Sequence, residues 1–133
     1  MEITAHYSTK TGTIKQAFNR MFPYLKIEFI KTLTGNQPFP SDRDLILHNR
    51  YLGEINERLT TGTIEISGDC KASNLERLFL ENFGLAIRVL KKEKKQWIPA
   101  ATEGLSLIQQ NEEAKAYDSE KTKTPYLKSV AMN

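Results

Sequence analysis

Hydrophobic and polar residues alternate from the start of the chain, with Ile3, Ala5 and Tyr7 set against Thr4, His6 and Ser8. A period of two puts one set on a buried face, the pattern of a half-buried strand. The period then changes. Ile14, Ala17, Phe18, Met21 and Phe22 follow the i, i+3, i+4, i+7, i+8 stripe of a core-facing helix. Thr13 and Gln16 open it as a capping box and Pro23 ends it. Leu25, Ile27 and Phe29, alternating with Lys26 and Glu28, predict a second strand.

This strand–helix–strand pattern is written twice. At a constant offset of 61, Ile3 and Ala5 match Ile64 and Ile66, Lys10 matches Lys71, and Ile14, Ala17, Phe18 and Phe22 match Leu75, Leu78, Phe79 and Phe83. With one residue dropped at the turn, Leu25, Ile27, Phe29, Ile30 and Lys31 match Leu85, Ile87, Val89, Leu90 and Lys91. The second copy carries a Ser73–Glu76 capping box and, in Gly84, a residue suited to a left-handed helix C-cap.

Two consecutive units of this kind predict an α+β fold of the ferredoxin-like type: one antiparallel sheet with two helices on one face. The expected domain spans 1–117, with repeat one over 2–32, an insert over 33–60, repeat two over 61–92, and an edge strand and third helix over 95–117; a tail covers 118–133. In the insert, Ser41 and Asp44 are expected to cap a short helix through Leu45 and His48 to Leu52, stopped at Gly53. Trp97 and Ile98 predict the edge strand, and Ser106 with Gln109 opens the third helix through Leu107, Ile108 and Ala114.

Composition narrows the class without naming a function. With 133 residues, 39% hydrophobic and 26% charged, the chain can bury a core unaided. Its net charge of +3 permits an acidic partner but falls short of a dedicated nucleic-acid binder. A single cysteine excludes an internal disulfide. The absence of a signal-peptide pattern and of a long apolar run leads to the expectation of a cytoplasmic protein with no membrane partner.

Candidate chemistry is sparse. The open sheet face is expected to carry Thr4, His6, Lys26, Glu28, Ile30, Glu65, Arg88 and Leu90, without the aromatic rings that stack bases on an RNA-recognition sheet. Lys91, Lys92, Lys94 and Lys95 beside Trp97 can grip phosphates and stack one base, or simply keep a hairpin soluble and its edge unpaired. Cys70, next to Asp69 and Lys71 before a helix, is the nucleophile candidate of a small enzyme or ligand-binding domain, against the plainer reading of a structural thiol. His6, His48, Asp42 and Asp44 match no metal spacing, so no metal, cofactor or catalytic set is expected.

The stretch Ser73, Leu75, Glu76, Phe79, Phe83-Gly84-Leu85 and Arg88-Val89, followed by Trp97 and Leu107 through Gln110-Asn111, resembles a group of small uncharacterised bacterial proteins. In that group a capped helix ends in Phe-Gly-Leu before a basic strand. The resemblance implies a bacterial cytoplasmic origin and carries no catalytic residue. The leading expectation is a non-catalytic assembly subunit or homo-oligomer with protein contacts through Ile30, Leu90, Tyr126, Leu127 and Val130. The alternative is a nucleic-acid-binding accessory protein using the Lys91–Trp97 turn.

Overall fold

In the computed structural model, residues 1–31, 45–101 and 103–118 are described. The elements run β1 (Glu2–Ala5), α1 (Thr11–Met21), β2 (Leu25–Ile30), β3 (Leu45–Ile46), α2 (Leu52–Ile55), β4 (Gly62–Glu65), α3 (Ala72–Phe83), β5 (Ala86–Glu93) and β6 (Gln96–Pro99), followed by α4 over 107–118. The α+β class expected from the sequence is what forms.

Strand pairing differs from the expected single sheet. Among the described residues β1 pairs with β4 alone, and the second sheet has the order β3-β2-β5-β6, antiparallel throughout. The reason lies in the edges. β2 and β5 pair with each other, and their outer edges are taken by β3 and β6, so neither has an edge left for β1 or β4. The expected helix through Leu45 and His48 therefore does not form: Leu45 and Ile46 pair with Ile30 and Phe29, and among the described residues of the insert helix begins only at Leu52. Ser41 and Asp44, the expected caps, lie outside the described residues.

Both ladders are centred on repeat-equivalent residues. Ile3 faces Ile64 across β1–β4, and Glu28 faces Arg88 across β2–β5. The two units are thus related by an approximate two-fold axis through both pairs. The correspondence extends beyond the strand–helix–strand pattern. Leu52 N–H donates to the Thr9 carbonyl at 2.7 Å, and Leu107 N–H to that of Cys70 at 2.8 Å. Gly53 N–H donates to Tyr7 and Ile108 N–H to Gly68, each at 3.0 Å. Isolated bridges join Lys10 to Tyr51 and Lys71 to Ser106. Each unit is therefore β-α-β-β-α, and β3–α2 answers to β6–α4.

Side-chain exchange follows the same symmetry. A Cβ on Gly53 would meet Tyr7, and one on Gly68 would meet Ile108. The large residue thus sits on the loop in one unit and on the helix in the other. Each unit's last helix also secures the helix–strand turn of its partner unit: Asn56 Nδ2 donates to the Gly84 carbonyl at 2.9 Å, and Tyr24 N–H donates to Asn111 Oδ1 at 2.8 Å.

The core draws on both units. Ile14, Phe18 and Phe22 of the first face, with Leu75, Phe79 and Phe83 of the second, are buried against β2 and β5, and Phe79 meets Phe29 and Phe83 edge-on. The helices start earlier than the capping boxes predicted. Lys10 and Lys71 are the N-caps, because the bridges to Tyr51 and Ser106 end there and leave Thr11 and Ala72, both fully buried, as first helical residues. Ser73 and Glu76 take other partners: Ser73 Oγ donates to Glu103, while Glu76 accepts from Val89 N–H. Gly84 does adopt the left-handed C-cap, with φ 72°, and the Ser106–Gln109 box does open α4.

Candidate functional site

β5 and β6 form a hairpin whose last pair is Glu93 and Gln96, so the turn is Lys94-Lys95 alone. Both residues have positive φ, 53° and 68°. A two-residue turn needs this conformation because its twist must match that of the strands, and Asn-Gly is the usual occupant. Two lysines there hold their side chains at the tip against a local steric cost.

The register sorts the remaining basic residues. Lys92 lies opposite Trp97 and Lys91 opposite Ile98, so Lys92 and Trp97 share a face that Lys91 leaves. Lys26, opposite Leu90 on β2, reaches over that face, and its Nζ stands 4.7 Å from the Trp97 ring centroid. Lys91 borders a small cleft with Glu113 and Tyr117 of α4. The hairpin and β2 together therefore place Lys92 and Lys26 on the face of one half-buried aromatic ring, with Lys94 and Lys95 at the hairpin tip.

Beneath this ring lies a cleft of about 380 Å³ between α1 and β2, walled by Lys15, Asn19, Lys26 and Trp97. Glu28 lines it, its side chain 9% exposed. Lys15 Nζ lies 2.6 Å from Oε1 and Lys26 Nζ 3.5 Å from Oε2, although Oε1 makes no hydrogen bond of proper angle. Asn19 fixes the wall by donating to the carbonyls of Pro23 and Leu25.

The charges of this cluster are inverted between the units. Lys15 and Glu28 occupy the repeat positions of Glu76 and Arg88. Glu28 and Arg88 then meet across the axis, so opposite signs alternate through the centre of the molecule. Burial pushes the Glu76 carboxyl above its ordinary value, opposed by the Val89 N–H and by the charge of Arg88. A carboxyl raised in the folded state binds more protons there than in the unfolded chain. Its contribution is complete below the ordinary glutamate value and is lost as pH rises through the folded one. Glu76→Gln is therefore expected to reduce the fall in melting temperature between about pH 4 and 7, read by thermal unfolding across that range.

The other candidates separate. Burial first, and then the charge of Asp69, push the Cys70 thiol up, opposing the thiolate that a nucleophile requires. Ile30 and Leu90 are buried, 4% and 7% exposed, so neither stands out as an exposed anchor. Tyr126, Leu127 and Val130 lie outside the described residues, as do Asp42 and Asp44. Among the described residues no group of three or more His, Cys, Asp or Glu side chains is placed to hold a metal, and no helix is long and apolar enough to cross a membrane. The Lys15–Glu28 cleft was not drawn from the sequence. The signal for it was the opposite charge at matched positions of the two repeats.

Comparison with family models, with curated proteins and with solved structures finds no match to this chain. The hairpin and the cleft beneath it are the features from which a function can be read.

Proposed function

We propose that this chain is a non-catalytic binding protein that grips single-stranded nucleic acid along the β5–β6 hairpin. The observation that carries the reading is the Lys94-Lys95 turn. Two side chains that disfavour left-handed backbone occupy both central positions of a two-residue turn, next to Lys92 and a half-buried Trp97. Strain of this kind persists where the side chains are retained for what they contact. Lysines spaced along an edge pair with successive phosphates, and an indole stacks a base whatever its identity. A single strand fits better than a duplex because stacking on Trp97 requires an unpaired base.

The assembly-subunit reading rests on Tyr126, Leu127 and Val130, which lie outside the described residues, and on Ile30 and Leu90, which are buried. The described geometry carries that reading less far.

The test is anisotropy of a labelled single-stranded oligonucleotide of mixed sequence. Four lysine–phosphate contacts give a slope of log affinity against log salt of roughly −3. Lys94→Glu with Lys95→Glu is expected to lower affinity at least about tenfold and to reduce that slope by about 1.4. Absence of a saturable rise in anisotropy at about 20–50 mM salt, or an affinity insensitive to the double reversal, would remove the reading.

A further inference from the structure

We propose that the cleft walled by Lys15, Asn19, Lys26 and Trp97 is a subsite for one nucleotide unit, with its base on the Trp97 ring and its phosphate between Lys15 and Lys26. This rests on the single-strand reading above and deepens it, since it names where one base is held while the lysines of the hairpin follow the backbone.

Trp97 is half-buried, so its ring is positioned by the sheet. The ring face carries the Lys26 ammonium at 4.7 Å. A partly exposed ammonium over an indole holds weakly, and a planar base offers the same face a larger contact. The displaced ammonium remains tethered to β2 beside the cleft, where a phosphate is its natural partner. Lys15 enters from α1 on the other side, with its Nζ beside Glu28 Oε1.

Glu28 at first argues against an anion. Its two oxygens, however, already face two ammonium groups, and Lys92 lies on the face of the sheet that Lys26 overhangs, so the local sum is positive. Its Oε1 is buried 2.6 Å from the Lys15 ammonium, so the carboxylate lies behind the lysines and is not the surface an incoming phosphate meets. A void of about 380 Å³ is at the small end of the range of ligand pockets, the size class of a single nucleotide rather than a larger cofactor.

The chain has one tryptophan, so its fluorescence reports this site alone. With the intact protein at low salt, adenosine 5′-monophosphate is expected to quench that emission to saturation. Adenosine and inorganic phosphate, each supplying half of the recognition, are expected to bind about tenfold or more weakly. Lys26→Met keeps the aliphatic stem and removes the charge; it is expected to lower the unfolding midpoint, because Glu28 loses one of its two cations, and to weaken the nucleotide about tenfold under conditions where circular dichroism shows the variant fully folded. No saturable quenching by the nucleotide, equal binding of adenosine, or indifference to Lys26→Met would each overturn the subsite. If the oligonucleotide still binds in a Lys94- and Lys95-dependent manner, the hairpin reading stands without it; if the oligonucleotide fails as well, both fall.

Discussion

Glu28→Arg is expected to cost the fold about 3–5 kcal/mol, the range for breaking a buried ion pair by removing one partner. The substitution would place a third cation beside Lys15 and Lys26 and would face Arg88 directly across the β2–β5 ladder. Like charges directly opposed on neighbouring strands destabilise a sheet in their own right. Symmetry sharpens the test. Glu28→Arg with Arg88→Glu restores opposite signs across the axis. It also sets the introduced guanidinium against Lys15 and the introduced carboxylate against Glu76, so it is expected to recover only part of the loss. Adding Lys15→Glu and Glu76→Lys exchanges the Lys15–Glu28 and Glu76–Arg88 charges, leaving only Lys26 beside the introduced guanidinium, and is expected to return stability to within about 2 kcal/mol of the parent, since only close pairs couple strongly. Urea unfolding at neutral pH, with an unchanged m-value, is the measurement. Recovery by the double variant as complete as by the quadruple one would show that the alternating cluster does not act as a unit.

The same axis explains what was legible in the sequence. Ile3, Phe18, Phe22, Ile27 and their partners at matched spacing are core positions, and a core imposes period and residue type on whatever occupies it. Strands β1, β2, β4 and β5, both long helices, β6 and α4 were accordingly readable. The pairing of the strands was not. It depends on β3, a strand of Leu45 and Ile46 alone, too short to show alternation, yet able to occupy the outer edge of β2 and so redirect the sheet. The equivalence of β3–α2 with β6–α4 was hidden for a related reason. One helix is a single turn and the other covers 107–118, and the segments leading to them differ in length, so the offset of 61 that matches the first strands and long helices does not reach them. Leu52 and Asn56 do correspond to Leu107 and Asn111, a match visible once the backbone bonds identify it. The basic hairpin was readable as a charge run, but the positive φ of both lysines and the reach of Lys26 across β5 to Trp97 arise only from register and twist.

Replacing Lys94-Lys95 by Asn-Gly is expected to separate stability from binding. Left-handed backbone costs a non-glycine residue roughly 1–2 kcal/mol, a cost glycine avoids and asparagine lessens. Part of that gain is offset because glycine also gives the unfolded chain more freedom. A net stabilisation of about 1–2 kcal/mol is therefore expected, visible as a higher urea midpoint. The two ammonium groups at the tip disappear at the same time, so oligonucleotide affinity is expected to fall about tenfold and its salt slope to shrink by about 1.4. A turn kept only to reverse the chain would gain stability with no change in binding. A fall in affinity in a protein made more stable cannot be assigned to unfolding, and it would locate the contact at the residues where the backbone is strained.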